Sequence, residues 1–269
     1  MPVVAHGRKG SSRRPQGCGT PLSVKPGYLS EIFVSFQGEG AYVGQRHLFV
    51  RLAGCNLRCT YCDTPESLER TAEFTVTRGE RPTLRQRNPA SAGEVIRLVG
   101  AVLEDEGAVD AIALTGGEPL TQSDFVATFL SAGHFDCPVL LETNGVLPHR
   151  LRDVLALVDI ISMDLKLPSN TGEGVFWEEH AAFLALARTK DLYVKILIDR
   201  QTTDADLERA CTLLASLAPN APAFLQPIMS PTMQPLLESE QLRHLSTLAR
   251  RHLAGVRVLP QMHKLLGIR

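Results

Sequence analysis

The sequence has no run of the roughly 18 apolar residues that a membrane-spanning helix needs. Its basic N-terminal residues are not followed by an apolar segment of the kind found in secretory signal peptides. It also lacks an excess of either charge: 28 lysines and arginines face 29 acidic residues, which gives a net charge of −1. Such a balance provides no overall attraction to nucleic acid or to an anionic membrane. We therefore expect a cytoplasmic protein with no membrane and no nucleic-acid partner.

Residues 1–27 are rich in glycine, serine and proline and contain basic residues but no acidic one. A segment of this composition does not bury enough apolar surface to form a stable core. We expect a disordered basic N-terminal arm, followed by one domain over residues 28–269. A single α/β domain commonly has this length.

From residue 28 onward, short β-branched apolar runs alternate with segments of helical periodicity, which is typical of βα units on a parallel sheet. The strands are predicted at residues 47–52, 110–115, 138–143, 159–165, 192–198 and 223–228. The helices are predicted at residues 92–106, 121–130, 151–157, 177–188, 204–217 and 239–252, the second with a capping box at Thr121 and Asp124. About six units are fewer than a closed TIM barrel contains. The predicted fold class is therefore α/β, a partial, open TIM-like βα barrel of about six parallel strands.

Residues 66–90 interrupt this rhythm with acidic residues, arginines and two prolines. A loop of this length inside a compact domain is often a lid or an insertion. We expect a loop insertion at about residues 66–90. A solvated loop with no role in a site explains the composition equally well.

Three of the six cysteines, Cys55, Cys59 and Cys62, directly follow the first predicted strand, whereas the others are far apart in sequence. In a reducing cytosol such clustering indicates metal or redox chemistry rather than disulfides. A structural zinc site normally has four protein ligands, and no second cysteine pair is present here. A [4Fe–4S] cluster with three cysteine ligands leaves one iron able to bind an exchangeable ligand. The pattern favours the cluster over zinc.

The spacing C-x3-C-x2-C on a loop after the first strand resembles the signature of radical S-adenosylmethionine (SAM) enzymes. A second motif, Leu-Thr-Gly-Gly-Glu-Pro at residues 114–119, ends the next predicted strand. Glycines let the backbone approach a ligand closely, and a carboxylate beside them can accept from an ammonium group. The motif resembles the segment that holds the methionyl amino group of SAM. The resemblance implies a radical SAM core with Gly117 and Glu118 at the cofactor.

Polar residues follow the remaining predicted strands, at the face where βα-barrel sites assemble. Glu142 and Asn144 are candidates to hydrogen-bond the ribose of SAM, and residues 226–229 are candidates to border the adenine. The candidate cofactor residues at these strand ends are Glu142, Asn144, Ser162, Met163, Asp164, Gln226, Pro227, Ile228 and Met229. Capping or turn roles remain open for each of them.

Residues 31–64 carry a more specific resemblance. Glu-Ile-Phe-Val-Ser-Phe-Gln-Gly-Glu-Gly at 31–40 and Phe-Val-Arg at 49–51 precede the cysteine motif, which ends in Cys-Asp-Thr at 62–64. The Gly-Gly-Glu-Pro, Glu-Thr-Asn-Gly and Gln-Pro segments follow. This order is similar to that of the 7-carboxy-7-deazaguanine synthase family, from about residue 28 to the C-terminus, and the similarity is weaker at 66–90.

This resemblance implies an enzyme, a radical SAM carbon–nitrogen lyase. The implied reaction contracts the ring of 6-carboxy-5,6,7,8-tetrahydropterin to give 7-carboxy-7-deazaguanine and ammonia, a step toward queuosine and related 7-deazapurines. The implied cofactors are a [4Fe–4S] cluster, SAM and Mg2+. The implied partners are this small-molecule substrate, a flavodoxin or ferredoxin-type electron donor, and a second copy of the chain in a homodimer.

The resemblance also assigns roles to single residues near the cluster. Cys55, Cys59 and Cys62 are implied to ligate the cluster and to be essential for catalysis. Tyr61, Cys62 and Asp63 match the stretch that lines the adenine of SAM. Thr64 matches a residue whose hydroxyl binds Mg2+, an ion that prefers oxygen ligands.

The implied substrate contacts are Phe36, Gln37, Gly38, Arg51 and Thr115. The guanidinium group of Arg51 suits a substrate carboxylate. A C-terminal contact is not assigned. Its candidates are Pro260, Gln261, His263 and Lys264, for which a surface or core role is the more common one.

Two other functions remain open. A glycyl-radical-enzyme activase is also a compact radical SAM protein, but it acts on a partner protein, whereas residues 37–40 and 62–64 favour a small carboxylated substrate. A zinc-stabilised binding module with a basic arm would contain zinc and no sulfide.

Overall fold

The computed structural model describes residues 25–79 and 81–268, whose strands form a single sheet. The strands are β1 (Leu29–Phe36), β2 (Arg46–Leu52), β3 (Glu73–Val76), β4 (Leu84–Arg87), β5 (Ala111–Gly116), β6 (Val139–Thr143), β7 (Ile160–Asp164), β8 (Asp191–Ile198), β9 (Ala223–Pro227) and β10 (Val256–Val258). The α-helices are α1 (Ala92–Glu106), α2 (Ser123–Ala132), α3 (Pro148–Val154), α4 (Pro168–Thr171), α5 (Trp177–Ala187), α6 (Asp204–Leu217), α7 (Ser239–Arg250) and α8 (Met262–Leu265). Within this part of the chain, no helix combines the length and the apolar character needed to cross a bilayer.

The sheet has the strand order β10-β9-β8-β7-β6-β5-β2-β1-β3-β4. The strands from β2 through β5 to β10 run parallel to one another, whereas β1 is antiparallel to β2 and β4 is antiparallel to β3. Among the described residues, the edge strands β4 and β10 do not pair, so the sheet stays open. The predicted open, partial barrel is confirmed, and its six predicted strands are β2 and β5 to β9.

The segment predicted as a loop insertion at 66–90 is partly strand, which corrects that prediction. β3 and β4 form an antiparallel hairpin whose first strand pairs with β1, and Phe74 and Val76 on β3 are buried. The sequence of β4, Leu-Arg-Gln-Arg, has no apolar alternation because the strand lies at the mostly exposed sheet edge. Charged residues on an edge strand discourage pairing with another chain.

Of the predicted N-terminal arm, residues 1–24 lie outside the described residues. Lys25 Nζ lies 2.9 Å from Asp124 Oδ2. Gly27 and Ala90 exchange two backbone hydrogen bonds of 2.8 Å. The folded domain therefore begins no later than Gly27, before the predicted boundary at residue 28.

The helices largely match the predicted segments, and α1 and α6 have the predicted bounds. The capping box predicted at Thr121 is wrong. Residues Pro119–Gln122 form a 3-10 turn, and α2 begins only at Ser123. The Thr121 hydroxyl donates to the Glu118 carbonyl oxygen (2.8 Å), so the turn after β5 uses this side chain before the helix begins.

Two apolar clusters cover the two faces of the sheet. The larger one packs α-helices against the outer face. The smaller one fills the inside of the curved sheet and contains Phe33, Phe49, Ala113, Leu140, Ile160, Tyr193 and Phe224. Because side chains alternate between faces along a strand, the residue two positions later also points inward, closer to the strand end. These next inward positions are Arg51, Thr115, Glu142, Ser162, Lys195 and Gln226, which form a polar layer above the apolar one.

We predict that the capping box of α1 contributes measurably to stability. The Ser91 hydroxyl accepts from the Glu94 amide (3.3 Å), and Glu94 Oε2 accepts from the Ser91 amide (2.7 Å). Ser91→Ala should lower the free energy of unfolding by about 1 kcal/mol in urea denaturation. Ser216→Ala, an exposed serine within α6, is the control and should change it by less than about 0.5 kcal/mol. Equal effects of the two variants would contradict the capping role.

Candidate active site

A cavity of about 810 Å3 opens at the carboxyl ends of the parallel strands. Loops after these strands and the inward polar layer form its wall, as in other βα barrels. It brings together most of the residues predicted from sequence: Phe36, Gln37, Gly38, Arg51, Cys55, Cys59, Tyr61, Cys62, Asp63, Thr64, Thr115, Gly117, Glu118, Glu142, Asn144, Asp164, Gln226, Ile228 and Met229.

Three predicted cofactor residues, Ser162, Met163 and Pro227, do not line this cavity. Met163 and Pro227 lie between inward-facing neighbours on their strands, so the pleat turns their side chains to the outer face. Ser162 points inward but is fully buried between Ile160 and Asp164 on β7. The sequence prediction included whole segments where only alternate residues reach the cavity.

The cysteine loop presents three half-buried thiols to the cavity. Burial raises the pKa of Cys55 to about 11 and also raises that of Cys59, so these thiols stay protonated unless a metal binds them. Cys137 and Cys211, the other cysteines within the described ranges, do not line the cavity. The donor set on this loop is therefore three thiols.

The arrangement of the thiols fits an iron–sulfur cluster better than one zinc ion. Tetrahedral ligands of zinc, with Zn–S bonds of about 2.3 Å, would place the sulfur atoms about 3.8 Å apart. In the described part of the chain, Glu39, Asp63 and His263 offer three ligand atoms within 4.8 Å of one another, whereas the three cysteines do not. A larger cluster accepts more widely separated thiolates, and the open side of the loop faces the cavity.

The Gly-Gly pair at the end of β5 packs directly against the backbone that leads into the cysteine loop. A Cβ atom at Gly116, whose φ is +133°, would lie 2.1 Å from the Leu52 carbonyl oxygen. A Cβ atom at Gly117 would lie 2.4 Å from the Gly54 carbonyl oxygen, just before Cys55. The two glycines therefore allow close packing of two backbones, and Gly117 also borders the cavity.

Glu118 is fully buried and joins the ends of β5 and β6. Its carboxylate accepts from the Leu120 amide (3.0 Å), the Thr143 hydroxyl (2.9 Å) and the Asn144 amide (2.7 Å). Asn144 in turn donates from Nδ2 to Asn56 Oδ1 (2.9 Å) in the cysteine loop. Burial raises the pKa of Glu118 to about 7, although these hydrogen bonds oppose the rise. These contacts give Glu118 a structural task in addition to any contact with a cofactor.

Glu142 contacts two of the predicted substrate-binding residues, Gln37 and Thr115. Its carboxylate accepts from Gln37 Nε2 (2.8 Å) and from the Thr115 hydroxyl (2.6 Å). Arg51 donates from Nε to Glu31 Oε1 (2.8 Å), and its guanidinium carbon lies 5.7 Å from the centre of the Phe33 ring. This geometry groups Glu142 with the predicted substrate contacts Gln37 and Thr115, whereas the sequence makes it a candidate for the ribose of SAM.

A chain of alternating charges, made of two buried lysines and two partly buried acids, crosses the cavity floor. Lys195 Nζ pairs with Glu39 and lies 3.1 Å from Asp164 Oδ1, and Lys166 Nζ lies 2.9 Å from Asp164 Oδ2. Burial disfavours the charged form of Asp164, but the two ammonium groups lower its pKa to about 2. All four groups therefore carry charge at neutral pH and compensate one another.

The predicted set of site residues lacked Glu39, Lys166 and Lys195. Glu39 belongs to the Gln-Gly-Glu-Gly segment, and Lys166 follows Asp164 by two residues, so both lie within motifs visible in the sequence. Lys195 interrupts an apolar strand and lies two positions after Tyr193, which faces inward. A charged residue at an inward position near the end of a strand was the available signal.

A C-terminal segment covers one side of the cavity. Gln261 Nε2 donates to both Glu39 Oε1 and Asp63 Oδ2, each at 2.7 Å. Lys264 Nζ lies 3.0 Å from the same Asp63 oxygen, and the Met262 amide donates to the Gly38 carbonyl oxygen (2.9 Å). Gln261, His263 and Lys264, three of the four candidates for a C-terminal contact, line the cavity, whereas Pro260 does not.

Thr64 lines the cavity directly after Asp63. It precedes the 3-10 turn Pro65–Ser67, but its hydroxyl makes no capping hydrogen bond with that turn. The hydroxyl oxygen is therefore not committed to capping and fits the oxygen ligand that Mg2+ prefers.

Comparison with known proteins places these motifs in a family context. The profile of the radical SAM superfamily matches residues 50–214. The 7-carboxy-7-deazaguanine synthase of Geobacter sulfurreducens is 39% identical over 246 residues, which cover 90% of this chain and 98% of that protein. The enzyme of the same name from Archaeoglobus fulgidus is 35% identical over 247 residues, with the same two coverages.

The fold is also similar to that of solved structures. QueE from Escherichia coli superposes with a TM-score of 0.56 at 21% identity, covering 88% of this chain and 95% of that one. A radical SAM methyltransferase from Sphaerobacter thermophilus gives a TM-score of 0.55 at 15% identity, covering 86% of this chain and 77% of that one. At these identities the likeness concerns the fold alone.

We predict that Glu118 makes the protein less stable as pH rises. Its folded-state pKa of about 7 lies above its ordinary value of 4.5, so its contribution is fully present below pH 4.5 and lost as pH rises through 7. Relative to Glu118→Gln, the free energy of unfolding of the wild type should fall by about 2–3 kcal/mol between pH 5 and pH 8. Urea denaturation of both proteins at several pH values measures this difference. A difference that does not vary with pH would show that Glu118 is already ionised at pH 5.

Proposed function

The chain belongs to the 7-carboxy-7-deazaguanine synthase family of the radical SAM superfamily, and on this basis we propose that it converts 6-carboxy-5,6,7,8-tetrahydropterin into 7-carboxy-7-deazaguanine and ammonia. The chain covers almost the full length of its relatives, so the activity belongs to the chain as a whole. The observation that carries the proposal is that the three thiols and the inward polar layer line one cavity.

The cofactors of this family fit the residues present. The superfamily uses a [4Fe–4S] cluster and SAM, and the relatives depend on Mg2+. Cys55, Cys59 and Cys62 would hold the cluster, since the three thiols come from one loop and all line the cavity. When bound, the cluster and SAM supply the radical chemistry that removes a hydrogen atom from the pterin. The protein binds, orients and shields the reactants.

The SAM side of the cavity is assigned to the loops nearest the cysteines. Tyr61, Cys62 and Asp63 would line the adenine, and Gly117 would contact the methionyl part. Asn144 lies close to the cysteine loop through Asn56 and would contact the ribose. Ile228 and Met229, at the end of β9, would form the apolar border of the adenine.

The substrate side is assigned to the residues around Glu142. Arg51 is held through Nε by Glu31, which leaves the terminal nitrogens of its guanidinium group to bind the substrate carboxylate. Gln37 and Thr115 both donate to Glu142, so these three side chains form a connected set of donors and acceptors. Such a set suits the donor and acceptor edge of a pterin, and Phe36 and Gly38 would border it.

Two alternative functions fit less well. A glycyl-radical-enzyme activase acts on a protein chain, whereas the polar layer here surrounds a cavity of a size that suits small molecules. A structural zinc site normally has four protein ligands, whereas the cysteine loop offers three thiols and, within the described residues, Cys137 and Cys211 do not line the cavity.

The same proposal extends to partners and location. We expect a homodimer and a flavodoxin or ferredoxin-type electron donor, because the family resemblance implies both. Cytoplasmic location would keep the cysteine thiols reduced until the cluster is assembled.

The function is tested by anaerobic reconstitution, with dithionite as reductant and SAM, Mg2+ and the carboxypterin as reactants. Mass spectrometry should detect 7-carboxy-7-deazaguanine, and the Cys59→Ala variant should form none. Cleavage of SAM to 5′-deoxyadenosine without deazaguanine would favour the activase. Purified protein with one zinc and no sulfide would exclude a radical SAM enzyme.

We predict that turnover rises with added Mg2+ through the hydroxyl of Thr64. Thr64→Ala should weaken this response, whereas Thr64→Ser, which keeps the hydroxyl, should retain most of it. Initial rates measured over a Mg2+ titration of the three proteins test the assignment. Unchanged Mg2+ dependence in Thr64→Ala would show that other oxygen atoms hold the ion.

A further inference from the structure

His180 is a fully buried histidine behind the cavity wall, on the inner face of α5. It does not line the cavity, and no motif in the sequence includes it. Both ring nitrogens nevertheless contact the backbone of cavity loops. Nε2 lies 3.0 Å from the Lys166 amide nitrogen, and Nδ1 lies 3.1 Å from the Gly145 carbonyl oxygen.

The two contacts define the protonation of the ring. The Lys166 amide can only donate, so Nε2 must be the unprotonated nitrogen. The proton then resides on Nδ1, which donates to the Gly145 carbonyl oxygen. Burial lowers the pKa of His180 to about 4, and the nearby Lys166 ammonium group adds to this effect while Asp164 opposes it. His180 is therefore a neutral imidazole that donates on one side and accepts on the other.

The Gly145 contact fixes the turn after β6. Gly145 has a φ of +71°, and a Cβ atom there would lie 2.6 Å from Met163 Cε, so the turn is already confined on one side. The preceding residue, Asn144, donates to Asn56 of the cysteine loop. The His180 contact therefore acts on the same turn that carries Asn144, whose amide is also held by Glu118 (2.7 Å).

The Lys166 contact fixes the segment after β7. Lys166 Nζ pairs with Asp164 and lies 5.3 Å from the centre of the Tyr61 ring, which also belongs to the cysteine loop. His180 therefore connects two loops that both contact the cysteine loop. One loop follows β6 and the other follows the adjacent parallel strand β7.

We propose that His180 is a positioning residue that, as a neutral hydrogen-bonding bridge between Gly145 and Lys166, sets the spacing of the two loops that flank the SAM side of the cavity. This inference rests on the proposed function for the identity of the ligand. Buried polar atoms are normally hydrogen-bonded, so the observation that supports this role is the identity of the two partners: they are backbone groups of two different loops, each of which also contacts the cysteine loop. Residues that orient the groups in contact with a metal or cofactor commonly change affinity by about 10–100-fold when replaced.

Three substitutions separate the two contacts. His180→Asn places an amide donor near the position of Nδ1 and keeps the bond to Gly145, but loses the acceptor for Lys166. His180→Gln places an oxygen near the position of Nε2 and keeps the acceptor, but loses the donor. His180→Phe keeps the shape and loses both. Phe183→Leu, at a fully buried core position on the same helix, is the control for packing alone.

The first measurement uses the protein without cluster or SAM. Nitrogen-15 NMR of the imidazole should show the Nδ1-protonated tautomer. Hydrogen exchange of the Lys166 amide should accelerate by about tenfold or more in His180→Asn and His180→Phe, but not in His180→Gln or Phe183→Leu. An Nε2-protonated His180 ring would contradict the proposed bridge between Gly145 and Lys166. The same exchange rate of the Lys166 amide in all variants would also contradict it.

The second measurement follows SAM binding to the reduced, reconstituted protein through the perturbation of its electron paramagnetic resonance signal. His180→Phe should weaken SAM binding by about tenfold, with His180→Asn and His180→Gln between it and the wild type. Iron and sulfide contents should equal those of Phe183→Leu, which should bind SAM like the wild type. Equal SAM affinity in wild type and His180→Phe would overturn the positioning role. A wild-type signal that does not respond to SAM would instead overturn the proposed function.

Discussion

The site depends on the two-residue period of the parallel strands. An apolar layer of inward side chains, with Phe49 and Tyr193 among them, fills the interior of the curved sheet. Two residues further along, the same strands present Arg51 and Lys195 to the cavity. The apolar layer keeps water away from the side of the polar layer that faces the barrel interior. The charged groups therefore interact in a medium of low dielectric constant, in which paired charges and hydrogen bonds attract more strongly than in water. The chemistry of the cavity thus follows from the register of the strands.

The charges of that layer compensate one another within the protein. Glu39, Lys195, Asp164 and Lys166 form a chain of two acids and two bases, whose side chains are 7–19% exposed to solvent. Removing one member would leave a buried charge without its partner, which is costly. Compensation also fixes the directions of the side chains before any ligand binds. A charged cofactor such as SAM would then meet groups that need little rearrangement.

The sequence predicts those features that depend on residues close together along the chain. The six buried parallel strands have continuous apolar runs, and the cysteine loop and the glycine motif follow two of them directly. The sequence does not predict β4, because this exposed edge strand has no apolar alternation. It does not predict β3 either, because alternation over only four residues, with Phe74 and Val76 buried, is too short a signal within a charged segment. Gln261 and Glu39, which form a hydrogen bond, are 222 residues apart in sequence, and no local sequence pattern predicts this contact. Met163 and Pro227 belong to segments at strand ends that the sequence predicts for the site, but only alternate residues of a strand face the cavity.

The close contact between the glycine pair and the cysteine loop has a consequence for how this protein can change over evolutionary time. Gly116 and Gly117 press against carbonyl groups of Leu52 and Gly54, more than sixty residues away in sequence. Any lineage that gains a side chain at either glycine must also displace the segment that carries Cys55. A substitution at the one motif is therefore sterically constrained by the backbone of the other.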